Sequence, residues 1–478
     1  MKFSKKTFGN RSFSRREFLK SSSLSMAAVL ASSCKPTSDG EKPLGEQAIL
    51  IRNGRLIDGK GSEPIPNTSI LIENGKFSEI RPSDIDVPAT ATVIEANGQT
   101  VMPGLIDMHA HLLSGGFDTV SEKSMSYDPA DQQRALKQML YWGITSVYDP
   151  VQPLEQGLRL RDQIVSKAFP APRLFISGPG FTAPGGWAGS NDPNARFEPT
   201  DPSEVKEQIE ALANAGIGIV KVFYDDMNVS FAQTLPKLEE AMMQTIISEA
   251  HAYGMKVMVH AYDTADQKNV IRAGANVMAH SAVTMPVDEE YIAEAKKADI
   301  LYLATLSVYH DVFDENVIRE FITQDFVQRT VPKKTLDSLS SPEPLDSFAK
   351  SIKQDNIKRL YPTIQENLKR IAESGVAIGV GPDTGVPGSF PGIGVHREME
   401  LMTQAGVSPS DVLIGATRTG AQWLGLESLG TIENGKIADL IILDGDPLTD
   451  ITSTREISAV IQHGAIVDRE QLLKETLA

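Results

Sequence analysis

The sequence predicts an α/β protein, a (β/α)8 TIM barrel with a small β-sandwich domain formed by both ends of the mature chain. Two patterns predict it: eight β-rich runs alternate with helix-like stretches through the middle, and hairpin-like text with similar Asn-Gly punctuation appears on either side. The eight runs are LIDMHAH, ITSVYDP, RLFISGP, IVKVFYD, KVMVHAY, NVMAHSA, ILYLATLS and AIGVGPDTG. Between them lie segments such as DPSEVKEQIEALANAG, where Asp201 suits the N-cap, Pro202 the first turn, Glu204 the third position and Gly216 the C-terminal stop. In a barrel of this kind, reactive side chains sit at the C-terminal ends of the strands and in the loops that follow.

Early segments AILIRNGRLIDG, TSILIENGKFSEIRP and ATVIEANGQTVMP, with later ones LGTIENGKIADLIILDGDP and EISAVIQHGAIVD, supply the small β-domain. The expected organisation is a signal over 1–34, a linker over 35–46, the β-domain over 47–104 and 425–478, and the barrel over 105–424. Two connections exceed what a simple turn needs: 181–200 after the third strand and roughly 308–356 after the seventh. Both are expected over the barrel mouth, the second as a lid or as a surface insertion.

The N-terminus has a basic start, the twin arginine of SRREFLK and an apolar stretch too short to span a membrane. It reads as a twin-arginine export signal. Cys34, the only cysteine, follows LASS where a lipoprotein cleavage box would end, so a lipid anchor is expected there; the alternative is a cleaved soluble signal. The predicted location is the periplasm or cell envelope. No disulfide can form within the chain. A net charge of −16 excludes non-specific nucleic-acid binding, which needs excess lysine and arginine.

His109 and His111 stand two apart at the end of the first run, and a strand's period of two puts both imidazoles on one face. His260, His280 and Asp383 end the fifth, sixth and eighth runs, so five metal-capable side chains converge. Lys221 ends the fourth run amid those ligands. Burial and neighbouring cations depress a lysine pKa, and the neutral amine can add carbon dioxide to become a carbamate, an anionic ligand able to bridge two metals. The competing reading is a lysine paired with Asp225 or Asp226.

The motifs VMPGLIDMHAH, IVKVF, VHAY, MAHS, GPDTG and GTIENGKIADLIILDGDP resemble the amidohydrolase superfamily, in the branch of imidazolonepropionase-like hydrolases and Xaa-Pro dipeptidases. The resemblance implies that His109, His111 and Asp383 hold one divalent ion, His260 and His280 a second, and carboxylated Lys221 both. Zinc is the expected metal. It further implies a bridging hydroxide attacking an amide, cyclic amide or dipeptide, with Asp383 as general base and then acid. The sequence AHSA departs from the family's usual glutamate and glycine around the sixth-strand histidine. A heterocycle deaminase and a non-catalytic ligand-binding lipoprotein are the alternatives, the former disfavoured by Asp263 standing where deaminases carry glutamate. Tyr224, Tyr262 and His310 are candidate substrate contacts, with Trp187 and His396 weaker ones. No feature sets the oligomeric state.

Overall fold

The computed structural model describes residues 48–86, 89–112, 127–341 and 350–478. The signal, the linker and Cys34 lie outside them. The chain opens with β1 (Ile49–Leu56), β2 (Ile65–Glu73), β3 (Lys76–Arg81), β4 (Thr92–Glu95) and β5 (Thr100–Pro103). The central strands are β6 (Leu105–Asp107), β7 (Ile144–Asp149), β8 (Arg173–Ile176), β9 (Gly180–Phe181), β10 (Arg196–Phe197), β11 (Ile219–Phe223), β12 (Lys256–His260), β13 (Val277–Ala279), β14 (Leu301–Leu303) and β15 (Ile378–Gly379). Last come β16 (Leu440–Leu443), β17 (Ile457–Gln462) and β18 (Ala465–Ile466).

Both ends of the chain build one hydrogen-bonded sheet of eight strands, ordered β18-β17-β16-β5-β1-β2-β3, with β4 also on β1. The strands expected to form a small β-sandwich are joined by hydrogen bonds into one continuous sheet, and β1 is the reason. Its residues Ile49–Arg52 pair in parallel with β4, then Arg55–Leu56 pair with β5, so one long strand serves two partners along the same edge. A register shift between Ile51 and Gly54 marks the changeover. Only glycine fits at 54, because a Cβ there would meet the Val101 side chain at 2.7 Å. The Asn-Gly signals are real turns: Asn74 (φ 50°) and Gly75 (φ 75°) link β2 to β3 with the left-handed pair that suits a two-residue hairpin. One face buries Ile51, Ile70, Ile72, Val101, Leu440 and Ile442.

All eight central runs contain strands. They pair in parallel as β6-β7-β8 and as β10-β9-β11-β12-β13-β14-β15. β8 lies in the third run and β9 follows directly after that run, three residues beyond β8; the first pairs with β7 and the second with β11. At the other side, Met108 N donates to Val380 O at 3.0 Å and Ala110 forms a parallel bridge with Thr384. Helix Pro202–Asn214 begins as expected, Asp201 accepting from Ser203 N at 2.8 Å, while Glu204 accepts from Thr200 N at 2.8 Å.

Both long connections are more ordered than their composition suggested. Residues 181–200 contain β10 and a 3₁₀ turn, and the segment after β14 runs through a π-helical turn, Val308–Val312, into helices Glu315–Phe321, Asp325–Thr330 and Lys333–Ser340. It then crosses to the connection after β11, where Phe231 bridges Ile352. Among the described residues no helix is long and apolar enough to cross a membrane.

Two buried polar residues bolt the terminal sheet to the central layers. Asp439 accepts from His463 N at 2.7 Å and pairs with Arg173 of β8. His396, fully buried, meets Trp142 O at 2.9 Å through Nε2 and Thr454 Oγ1 at 3.0 Å through Nδ1. Asp439→Ala leaves Arg173 without its buried partner and is expected to cost about 3 kcal/mol, read from the denaturation midpoint. Burial pushes the His396 pKa down to about 3. Its neutral form therefore stabilises the fold fully above pH 6.5, and that share is lost as pH falls toward 3, because the unfolded chain takes up the proton first. His396→Gln is expected to flatten the stability-versus-pH slope between pH 6 and 4 by about 1.4 kcal/mol per unit.

Candidate metal centre

The first two candidate ligands leave β6 in a short extended segment. Asp107, buried at the end of that strand, accepts from His109 N at 3.0 Å and fixes the turn of the chain. His109 Nε2 then lies 3.2 Å from Asp383 Oδ1, and His111 Nε2 lies 3.1 Å from the same oxygen. The two-residue spacing does bring both rings to one carboxylate.

Lys221 is the third of five residues in β11, with Val220 and Val222 packed to the other side of the strand. It is 0 % exposed. Its Nζ stands 3.1 Å from His109 Nε2 and 3.8 Å from Met258 Sδ, and 5.1 Å from the centre of the Phe223 ring. The pairing with Asp225 is not formed. Asp225 instead accepts backbone N–H groups of Met227 and Tyr262, both at 2.7 Å. Burial lowers the Lys221 pKa to about 8, opposed by the charge of Asp383. An amine in that range is still mostly protonated at pH 7, but its neutral fraction is far larger than that of an ordinary lysine.

His260 and His280 end neighbouring parallel strands and their rings meet at 4.3 Å. His280 Nε2 is 3.9 Å from Asp383 Oδ2, and its Nδ1 lies 2.7 Å from Thr305 Oγ1. His280 (φ 79°), Thr305 (φ 48°) and Asp383 (φ 59°) all adopt left-handed backbone. Such conformations cost a non-glycine residue about 1 kcal/mol or more and persist where surrounding contacts over-determine them. Burial, with the neighbouring cationic groups, holds His109, His260 and His280 well below the ordinary histidine pKa, so all three imidazoles are neutral.

Ligand atoms of His109, His280 and Asp383 lie within 4.8 Å of one another. His109 Nδ1, His111 Nδ1, His260 Nε2 and Asp383 Oδ1 are buried without a hydrogen-bond partner. Burying polar atoms unpaired is costly, and neutral imidazoles around a carboxylate form the donor set that divalent zinc-like ions prefer. The residues fit a metal centre.

Of the weaker candidates, Tyr262 packs its ring at 4.6 Å from His260 and 4.9 Å from His280. Tyr224 is buried beside Lys237, whose Nζ sits 4.9 Å from its ring centre. His310 is held away from the cluster by Asp311 Oδ1 at 2.6 Å and by Arg397. Trp187 packs on Phe231, and His396 is the structural bolt described above. Sequence reasoning missed Thr305, whose hydroxyl meets Nδ1 of the sixth-strand histidine, His280. Its place at the end of the seventh run was the available signal.

The model of the Amidohydrolase family matches residues 100–467. A Xaa-Pro dipeptidase crystallised with methionine in its active site superposes with a TM-score of 0.70 at 24 % identity, covering 88 % of this chain and 100 % of that one. A prolidase complexed with N-methylphosphonate-L-proline gives 0.68 at 22 %, covering 88 % and 99 %. Ochratoxinase from A. niger gives 0.65 at 20 %, covering 88 % and 95 %. No curated protein matches the chain in sequence. With most of its length matched by the family model, from β5 to the residue before Asp468, this chain belongs to the amidohydrolase family.

Proposed function

We propose that the protein is a two-metal hydrolase of C–N bonds in amides, cyclic amides or dipeptides. The observation that carries this is the gathering of His109, His111, Lys221, His260, His280 and Asp383 in one buried cluster at the strand ends. In this reading the parallel strands form one (β/α)8 barrel over 105–424, joined where Met108 meets Val380, with the β-domain over 47–104 and 425–478. His109, His111 and Asp383 hold one zinc ion, His260 and His280 the other, and carboxylated Lys221 both.

Bound divalent ions supply acidified water and polarise the scissile carbonyl. The chain does the rest. The Lys221 amine, neutral when deprotonated, forms an N–C bond to carbon dioxide and releases a proton, which leaves a carbamate anion. Asp383, its Oδ1 flanked by His109 and His111, accepts the proton of the attacking water and returns it to the leaving nitrogen. Tyr262, stacked over His260 and His280, borders the substrate, with Tyr224 behind the same strand ends. The ligands named for the similar dipeptidase and prolidase, methionine and a prolyl phosphonate, favour a dipeptide. Asp263 argues against deamination: it caps helix Thr264–Ala273 and accepts from Thr284, so it is committed to structure. In the same reading the enzyme is exported folded to the cell envelope and anchored through lipidated Cys34, which the twin arginine of SRREFLK and the position of Cys34 after LASS support.

The purified protein is expected to hold two metals per chain and to turn over members of a panel of dipeptides and N-acyl amino acids. Chelation should abolish turnover and added zinc restore it; full activity after chelation, or no turnover across the panel with metal bound, would sink the hydrolase. Lys221→Ala is expected to bind one metal or fewer and to lose at least about 100-fold in kcat, with partial recovery on adding small carboxylic acids. Unchanged metal content in that variant would remove the bridge.

A further inference from the structure

The helix after the eighth strand, Ile393–Gln404, carries a carboxylate that is buried and held entirely by backbone. Glu398 is 1 % exposed. One of its oxygens accepts from Leu306 N at 2.8 Å and the other from Ser307 N at 2.8 Å. The next residue back along the helix repeats the grip: Arg397 Nε and Nη2 each reach the buried carboxylate of Asp311 at 3.0 Å. The turn after β14 is thus clamped at two points by one helix.

What that turn carries gives the clamp its meaning. Thr305, immediately before the two clamped amides, holds left-handed backbone and places its hydroxyl 2.7 Å from His280 Nδ1. Ser307 Oγ donates to Pro382 O at 3.0 Å, the carbonyl directly before Asp383. So one short turn braces a histidine from the sixth strand and a carboxylate from the eighth. Both of those residues have strained backbone of their own and need such bracing.

We propose that Glu398 is a positioning residue that sets His280 and Asp383 together, through Thr305 and through Ser307. Its two oxygens satisfy two adjacent amides, which orients the turn in both tilt and height; a single acceptor fixes only one of these. The Thr305 hydroxyl then selects the ring orientation and tautomer of His280, leaving Nε2 facing Asp383. This role rests on the metal-centre reading above, and it adds a residue with no contact to the candidate ligands.

The test uses the full-length protein. Glu398→Gln keeps the shape but puts an amide N–H against a backbone N–H, while Thr305→Val and Ser307→Ala each cut one branch and leave the clamp in place. Competitive chelator titration is expected to show divalent-metal binding weakened about 10- to 100-fold in Glu398→Gln and by a smaller factor in each branch variant. Far-UV circular dichroism should match the parent, and excess zinc should recover kcat in Glu398→Gln. Parent-like metal affinity in a folded Glu398→Gln overturns the proposal. If that variant fails to fold, parent-like affinity in both branch variants overturns it equally. A parent protein that binds no metal would instead sink the metal-centre reading itself.

Discussion

Desolvation of charge at the strand ends is the constraint on which the rest of the structure depends. Lys221, four imidazoles and Asp383 are packed where water is largely excluded, and an isolated ion there would cost far more than any hydrogen bond returns. The chain answers by keeping three imidazoles neutral and by bringing the amine pKa down to about 8. Neutral imidazoles do not repel a cation as imidazolium ions would. The same low dielectric that makes the cluster expensive to build makes each contact to a metal or a developing charge strong.

Support for this cluster comes from groups that are themselves committed. Asp225 spends its oxygens on two backbone N–H groups, and burial raises its pKa to about 7. Asp149, also raised to about 7 by burial, accepts from Val151 N and Gln152 Nε2 at the end of β7. These carboxylates fix the loops at the strand ends. Rigidity at the strand ends is thus supplied by side chains that hold the backbone.

Much of this was legible because the signals were periodic. His109 and His111 declared themselves by spacing, and His260, His280 and Asp383 by falling at the ends of successive β-rich runs. Lys221 was conspicuous as a charge in an apolar strand. What the sequence could not express was pairing that depends on turns: the left-handed backbone of His280, Thr305 and Asp383, and the reach of Glu398 across from a distant helix, follow from tertiary packing. The continuity of the terminal sheet was hidden for a related reason. Composition marks strands but does not reveal that β1 changes partner midway, from β4 to β5.

One topological detail has a consequence for the life of the molecule. Gly104 alone separates β5 from β6, so the strand that delivers His109 and His111 continues directly from the terminal sheet. β5 in turn is flanked by β16, which the ribosome makes long after Asp383. β1 and β7 can pair with these strands early, but every inward-facing donor has left the synthesis machinery before β5 gains its second neighbour, β16. Completion of the terminal sheet, on which the first ligand pair is anchored, belongs to the finished polypeptide.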